Sequence, residues 1–369
     1  MHSLIHKKKI ISLMKTNKYR VVGIMSGTSC DGLDISYCHF WKKKNNWFYK
    51  LKYCESIEYE GLLKNKLIEC YKMSGMDLKK LDIELGNFIT EKIREFITKY
   101  GIDPDLISTH GHTVFHDIEE KISHQIGNPF VLYEKIKKPV IYNFREIDVI
   151  SGGQGAPLVP YGDINLFKEY DYCVNIGGIL NITENNKNNL IAYDVCPANI
   201  ILNYYSRKIG FDYDKDGVVS STGNVDLNIL KKLNSIKYYK NKGPKSLDIQ
   251  KIEKLYFPLL KKYTPKNILR TFIDHVGYQL NKAIKKNKSK ILLTGGGAFN
   301  KMLLKSIEKY NNNNHLYMLP NKNLINFKES IIFGFLGLKR YLNKKNIEKS
   351  VTGAKQSSSS GIVIENKFF

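Results

Sequence analysis

Three glycine turns, each following an apolar run, are the residues best placed to do chemistry: 23–32, 176–180 and 294–298. A turn without side chains lets backbone N–H groups approach anionic oxygen. One such turn carries little information, because any tight turn needs glycine. Three carry more when small polar residues attend each. Ser26, Thr28 and Ser29 flank the first, Asn175 and Asn181 the second, and Thr294 and Asn300 the third. That is the chemistry of a cradle for a triphosphate held between two lobes. Asp31 follows the first turn and Asp34 stands three residues on. A carboxylate beside a phosphate loop holds Mg²⁺ directly or through water. A turn or capping aspartate has the same spacing, so the residues alone leave both readings open.

The elements that must position these turns come in two similar series. Residues 19–24 read as a buried strand, followed by the first turn and by alternating strands over 34–40 and 47–59. Residues 62–72 and 77–100 have helical spacing, with Leu81, Leu85, Phe88, Ile89, Ile93 and Ile97 on one face. Strands are expected at 106–109 and 139–144, and a strand end plus helix over 126–136. The glycine-rich loop 151–157 marks a lobe boundary. The second series follows the same plan, with a strand at 172–176, a glycine turn, an extended stretch at 180–183, a strand at 191–195 and a helix over 198–209. A long helix over 268–285, a buried strand at 290–294 and a helix over 330–341 complete it. Two lobes, each opening strand–turn–strand, indicate a duplicated α/β unit around a central cleft. The expected division is a variable tail 1–18, an N-terminal lobe 19–150, a C-terminal lobe 151–354 and a C-terminal tail 355–369.

The 369-residue length fits two such lobes. The formal net charge of +23 invites a nucleic-acid reading. The kind of base argues against it. Only Arg20, Arg94, Arg145, Arg207, Arg270 and Arg340 are arginine, and lysines scattered along the chain supply the rest. Arginine is the residue of bidentate phosphate contacts, and no basic stripe here alternates with aromatics. The lysines read as solvated surface. The six cysteines form no CxxC pair and no zinc-type cluster, which points to free thiols in a reducing cytoplasm. No apolar run of about 20 residues exists to cross a membrane. The start has a basic stretch and a short apolar run without a cleavage site, so Met14 is an alternative first residue.

A longer pattern runs in order along the chain. GIMSGTSCDGLD at 23–34 resembles the opening of the anhydro-N-acetylmuramic acid kinases. THGHT at 109–113 is similar to that family's HGQT element. NFREID at 143–148 with GGQGAPLVP at 152–160 resembles its DFRxxDxxxGGQGAPLVP element. NIGGILNIT at 175–183, DVCPAN at 194–199, GGGAFN at 295–300 and VTGA at 351–354 follow. The resemblance covers about residues 20–362.

The resemblance implies a two-lobed, duplicated sugar kinase/actin/Hsp70-like (ribonuclease H-like) fold with a central nucleotide cleft. It implies ATP and Mg²⁺ as cofactors and a small amino sugar as substrate. The reaction would open the 1,6-anhydro ring with water and phosphorylate O6, giving N-acetylmuramic acid 6-phosphate during reuse of cell-wall fragments. A cytoplasmic homodimer is expected, without nucleic acid or membrane. Asp148 matches the family's base, next to a glycine loop where a carboxylate suits that task. Read without the family, Asp148 would be a surface-loop aspartate. Arg145 matches a sugar-binding position; its plain alternative is an ion pair with Glu146 or Asp148. Gly27, Thr28, Ser29, Cys30, Asp31, Gly32, Leu33 and Asp34 match the ATP-binding segment, with Asp31 facing the metal. Gly177, Gly178, Gly296, Gly297 and Asn300 would line the other side of the nucleotide. Glu329 matches a helix-start glutamate near the metal, although glutamate suits a helix N-terminus for the dipole alone. His110 and Thr113 belong near the sugar; the plain reading of His110 is a hydrogen-bonded core histidine.

Three positions depart from the family. His112 stands for Gln, Asn143 for Asp and Ala198 for Gly, and Cys196 is also unusual. The Asn143 change either weakens a pair with Arg145 or falls at a structural position. Two other functions remain as alternatives on the sequence alone. One is a kinase of the same fold acting on a different amino sugar. The other is a degenerate binding protein that holds nucleotide or nucleic acid without turnover.

Overall fold

The computed structural model describes residues 18–27, 30, 32–185, 190–241 and 245–365. Thr28, Ser29 and Asp31 lie outside the described residues, as do Met14 and nearly all of the N-terminal tail. The chain divides into two compact units, one of Met1–Leu166 with Phe327–Phe369 and one of Phe167–Asn326.

The first unit is built on a meander of β1 (Lys18–Ser26), β2 (Gly32–Lys43) and β3 (Asn46–Glu58). β4 (Leu106–Thr109) lies parallel to β1, and β7 (Val140–Tyr142) parallel to β4. Between them β5 (His112–Asp117) and β6 (Ile122–Ile126) form a separate hairpin. β13 (Ile362–Ile364) pairs antiparallel with β7 at the sheet edge. β1 is apolar and buried from Val21 to Ile24, where both its faces are covered. Val22 and Ile24 join the core with Leu85, Ile89 and Ile93 of the helix Gly75–Tyr100. On the opposite face Gly23 meets the helix Lys322–Tyr341. A Cβ on Gly23 would stand 2.1 Å from the Ser330 carbonyl oxygen, so only glycine permits this approach. Each fully buried Ile or Leu of this core contributes about 1.5–3 kcal/mol.

The second unit repeats the plan. β8 (Tyr172–Ile176), β9 (Ile179–Glu184) and β10 (Ile191–Pro197) form the meander. β11 (Lys290–Thr294) lies parallel to β8, and β12 (Leu316–Met318) parallel to β11. The order β10-β9-β8-β11-β12 matches β3-β2-β1-β4-β7 strand for strand. The long helix Pro265–Ala283 packs Ile268, Phe272, Val276 and Leu280 into this unit's core. Two units with one sheet order, each opening strand–glycine turn–strand, form the duplicated ribonuclease H-like α/β fold.

The glycine-rich loop 151–157 and the helix Val159–Leu166 belong to the first compact unit, and the chain returns to that unit from Phe327. Ser360 Oγ donates to the Phe144 carbonyl at 2.5 Å, and β13 then extends the first sheet.

Candidate active site

Asp148 lies in the short helix Glu146–Ile150 and is fully buried. The surface-loop alternative therefore does not hold. The Thr352 hydroxyl donates to Asp148 Oδ1 at 2.8 Å, and the Gly155 N–H donates to Oδ2 at 2.8 Å. The Gly153 N–H also reaches the Asp148 carbonyl at 2.8 Å, and the Gln154 N–H reaches the Thr352 carbonyl at 2.7 Å. A Cβ on Gly153 would stand 2.2 Å from Asp148 Oδ2. The glycine loop is thus wrapped on the carboxylate with no room for a side chain. Each carboxylate oxygen accepts one hydrogen bond and retains capacity for another. Thr352 escaped the sequence reading as a site residue. The only signal for it was the VTGA string, whose distance along the chain conceals its contact with Asp148.

Arg145 precedes this helix. Its Nε donates to His110 Nε2 at 2.8 Å, and its Nη1 donates to the Gly155 carbonyl at 2.7 Å. It therefore braces the same loop instead of pairing with Glu146 or Asp148. Burial pushes its pKa down to about 10, and the charge of Glu329 opposes that fall. His110 is buried with Nδ1 2.9 Å from the Gly111 carbonyl. Because Nε2 accepts from a guanidinium N–H, the ring proton sits on Nδ1 and is donated to that carbonyl. Burial, aided by the Arg145 charge, holds His110 well below the usual histidine range, so the ring is neutral. Thr113 is half-buried on β5, opposite Gln125.

A cavity of about 190 Å³ opens beside these residues. Thr109, His110 and Gly111 line it with Gln125, Asn128, Tyr142, Asn143 and Glu146. Asn143 has φ 57, a left-handed conformation that asparagine adopts readily, and its amide donates to Glu146. The Asp-to-Asn departure therefore falls at a turn-forming residue that does not pair with Arg145.

The first glycine turn leaves the end of β1. The Cys30 N–H closes it on the Gly27 carbonyl at 3.2 Å. Gly32, Leu33 and Asp34 open β2, where Leu33 is buried and Asp34 lies opposite Met25. Glu329 is half-buried about two turns inside the helix Lys322–Tyr341, not at its start as expected, because the helix begins before Ser330. Burial raises its pKa, Lys328 and Arg145 oppose the rise, and the charges of Asp34 and Asp163 add to it. Lys328 itself is buried and pairs with Asp163 at 3.2 Å, which fixes the helix at this point. The first unit thus brings together Asp148, Arg145, His110 and Glu329. Among the described residues, no group of three or more His, Cys, Asp or Glu side chains is arranged to hold a metal ion.

The remaining expected residues belong to the second unit. Gly177 and Gly178 follow β8, and their carbonyls accept the N–H groups of Asn199, Ala198 and Ile200 at 2.8–3.1 Å. Ala198 is buried at the N-terminus of the helix Asn199–Arg207. Gly295 has φ 84 and packs its Cα side against Asn175 and Ile176, so the second and third turns stand back to back. Gly296 faces open space, with only the Asn199 amide within 4 Å of a built Cβ. Asn300 Oδ1 accepts from the Leu303 N–H at 3.0 Å and caps the helix Lys301–Lys309.

Comparison with known proteins sharpens this picture. The family model for anhydro-N-acetylmuramic acid kinase matches residues 19–366. The protein of that name from Pelagibacter ubique is 32% identical over 94% of this chain and 99% of its own length. The one from Francisella tularensis subsp. novicida is 32% identical over 93% of this chain and 97% of its own. A solved structure of component A of (R)-2-hydroxyglutaryl-CoA dehydratase from Acidaminococcus fermentans is 10% identical, covers 88% of this chain and 99% of its own, and has a TM-score of 0.43. A match running from the first strand to the last, with relatives alike over nearly their whole length, means that the chain belongs to the anhydro-N-acetylmuramic acid kinase family.

Proposed function

We propose that this protein is an ATP-dependent kinase that opens anhydro-N-acetylmuramic acid with water and phosphorylates its O6. The observation that carries the reading is the buried Asp148 carboxylate, gripped by the glycine loop and Thr352 beside the Arg145–His110 pair. Asp148 acts as the base. It takes a proton from a water whose oxygen bonds to the anomeric carbon, and the bond from that carbon to O6 breaks. O6 takes the γ-phosphoryl group, and ADP leaves. The products are N-acetylmuramic acid 6-phosphate and ADP, so one water and one ATP are used per sugar. Arg145 orients the sugar through its guanidinium, and neutral His110 fixes the arginine by accepting from its Nε. The polar cavity beside His110 suits the hydroxyl and amide groups of an amino sugar. Glycine turns hold the nucleotide's phosphates by their backbone N–H groups.

Mg²⁺ fits the donor set. Glu329 and Asp34 lie close enough for like charge to penalise Glu329, and hard carboxylate oxygens are what this ion takes. Glu329 with Asp31 would hold it, and it would supply charge neutralisation for the phosphates. The protein works in the cytoplasm, a reading supported by its six free cysteines. No helix among the described residues is long and apolar enough to cross a membrane.

The test is ADP release with a panel of sugars. Anhydro-N-acetylmuramic acid should raise the rate at least about a hundredfold over N-acetylmuramic acid and N-acetylglucosamine. A larger response to a sugar lacking the anhydro bridge would refute the assignment.

A further inference from the structure

Thr352 reaches Asp148 from the tip of a closed loop, and the root of that loop is held by a side chain that the reaction does not use. Asn346 is fully buried. Its Nδ2 donates to the Ser360 carbonyl at 2.8 Å and to the Leu336 carbonyl at 3.1 Å. Its Oδ1 accepts from the Ser360 N–H at 2.7 Å, so the amide and the Ser360 backbone exchange two hydrogen bonds. Its own N–H donates to the Ser358 carbonyl at 2.9 Å. Ile347 and Ser358 then bond to each other in both directions at 3.2 Å, and Ser357 Oγ donates to Glu348 Oε2 at 2.7 Å. The chain leaves at 346, returns at 360 and is stitched shut between them.

This root is fixed to both elements that carry the site. Leu336 lies on the helix Lys322–Tyr341, which carries Glu329. Ser360 Oγ donates to the carbonyl of Phe144, the residue before Arg145. The tip holds the short helix Lys349–Thr352 and turns at Gly353, φ 77. There Thr352 Oγ1 donates to Asp148 Oδ1, and the Thr352 carbonyl accepts from the Gln154 N–H. Ala354 packs on Gly153, its Cβ 2.8 Å from where a Cβ on that glycine would stand. A loop with free ends samples many shapes, and closing its root removes most of them. A donor at the tip stays aimed at one carboxylate oxygen only while the root is closed. We propose that Asn346 is a positioning residue for the base, locking the root of the loop 347–359 and so setting the reach of Thr352 onto Asp148. The proposal rests on the reading that Asp148 is that base. Asn346 bonds to Leu336, Ser358 and Ser360, and it acts on Asp148 through Thr352.

The experiment compares the full chain with Asn346→Ala, Thr352→Val and the two combined. It reads kcat, KM for ATP, the melting temperature and hydrogen exchange of the amides in 347–358. Asn346→Ala should lower kcat about tenfold while KM for ATP stays within about twofold. Exchange in 347–358 should quicken about tenfold, with the helix Pro265–Ala283 of the second unit as the unmoved reference. The combined variant should match Thr352→Val in kcat within about twofold, because the donor that Asn346 positions is already gone. Losses that multiply in the combined variant would overturn the proposal, since they mark a general structural role. So would parental kcat in Asn346→Ala. Ser360→Ala, which removes only the side-chain bond to Phe144, decides the matter where Asn346→Ala fails to fold. Its kcat should fall about threefold with faster exchange in 347–358, and parental kcat there would overturn the proposal. Parental kcat in Thr352→Val would refute the hold on Asp148 itself, and the positioning role with it.

Discussion

Asp148 owes its place to one donor near in the sequence and one far from it. Gly155 is seven residues away, and Thr352 approaches from the far end of the chain. A hydrogen bond to a charged acceptor contributes about 1.5–3 kcal/mol. Thr352→Val keeps the shape and removes the donor, so kcat should fall about 10- to 100-fold with KM for ATP nearly constant. Thr352→Ser should restore most of the rate. Equal losses in both variants would show that the hydroxyl is not the acting group. At this scale the sequence was informative where motifs are local. Asp148, Arg145 and the glycine loop stand within one short string. The Arg145–His110 bond and the Thr352 clamp join separate strings, and spacing along the chain carries no record of them. Asn300 was legible as a residue beside a glycine turn but not as a helix cap, because both roles favour asparagine.

At the scale of elements, glycine decides where loops can close. The loop 152–155 turns back on Asp148 because Gly153 leaves its Cβ position empty, 2.2 Å from a carboxylate oxygen. Gly153→Ala must displace the carboxylate or the loop. A displacement of about 1 Å at a reacting group costs on the order of a hundredfold in rate. We expect kcat to fall by at least that factor while ATP still protects the protein against heating. Parent-like kcat in this variant would show that the loop does not hold the base. The paired strand–turn–strand openings were readable because a strand segment buried on both faces reads as a continuous apolar run, as in Val21–Ile24 of β1 and Tyr172–Val174 of β8. The β5–β6 hairpin was not. Its exposed strands carry histidines and polar residues and lack a two-residue turn signal. β13 was missed for a related reason: three residues at a sheet edge make too short a pattern to see.

For the whole molecule, the +23 charge is mainly lysine on the surface, and its long-range field favours the approach of anionic ATP and a carboxylate-bearing sugar. The chain's return to its first unit after residue 326 was hidden because helix spacing shows that a helix exists, not which sheet it covers. Acid stability tests the interior. His275 is fully buried, donates from Nδ1 to Asn234 Oδ1 at 2.7 Å, and accepts from Tyr239 Oη at 2.7 Å. Burial pushes its pKa down to about 3. The unfolded chain binds this proton below about pH 6.5 and the native chain does not, so stability falls as pH drops through that range. Between about pH 6.5 and 5 this group alone removes about 2 kcal/mol. Urea unfolding of the parent and of His275→Gln should show the variant's acid slope reduced by that amount, and equal slopes would contradict the assignment. Purified protein incubated with γ-labelled ATP and anhydro-N-acetylmuramic acid should yield labelled N-acetylmuramic acid 6-phosphate, and Asp148→Asn should lose at least about a thousandfold of that rate while still binding ATP. No labelled sugar from a parent protein that binds ATP, or an undiminished rate in Asp148→Asn, would contradict the account.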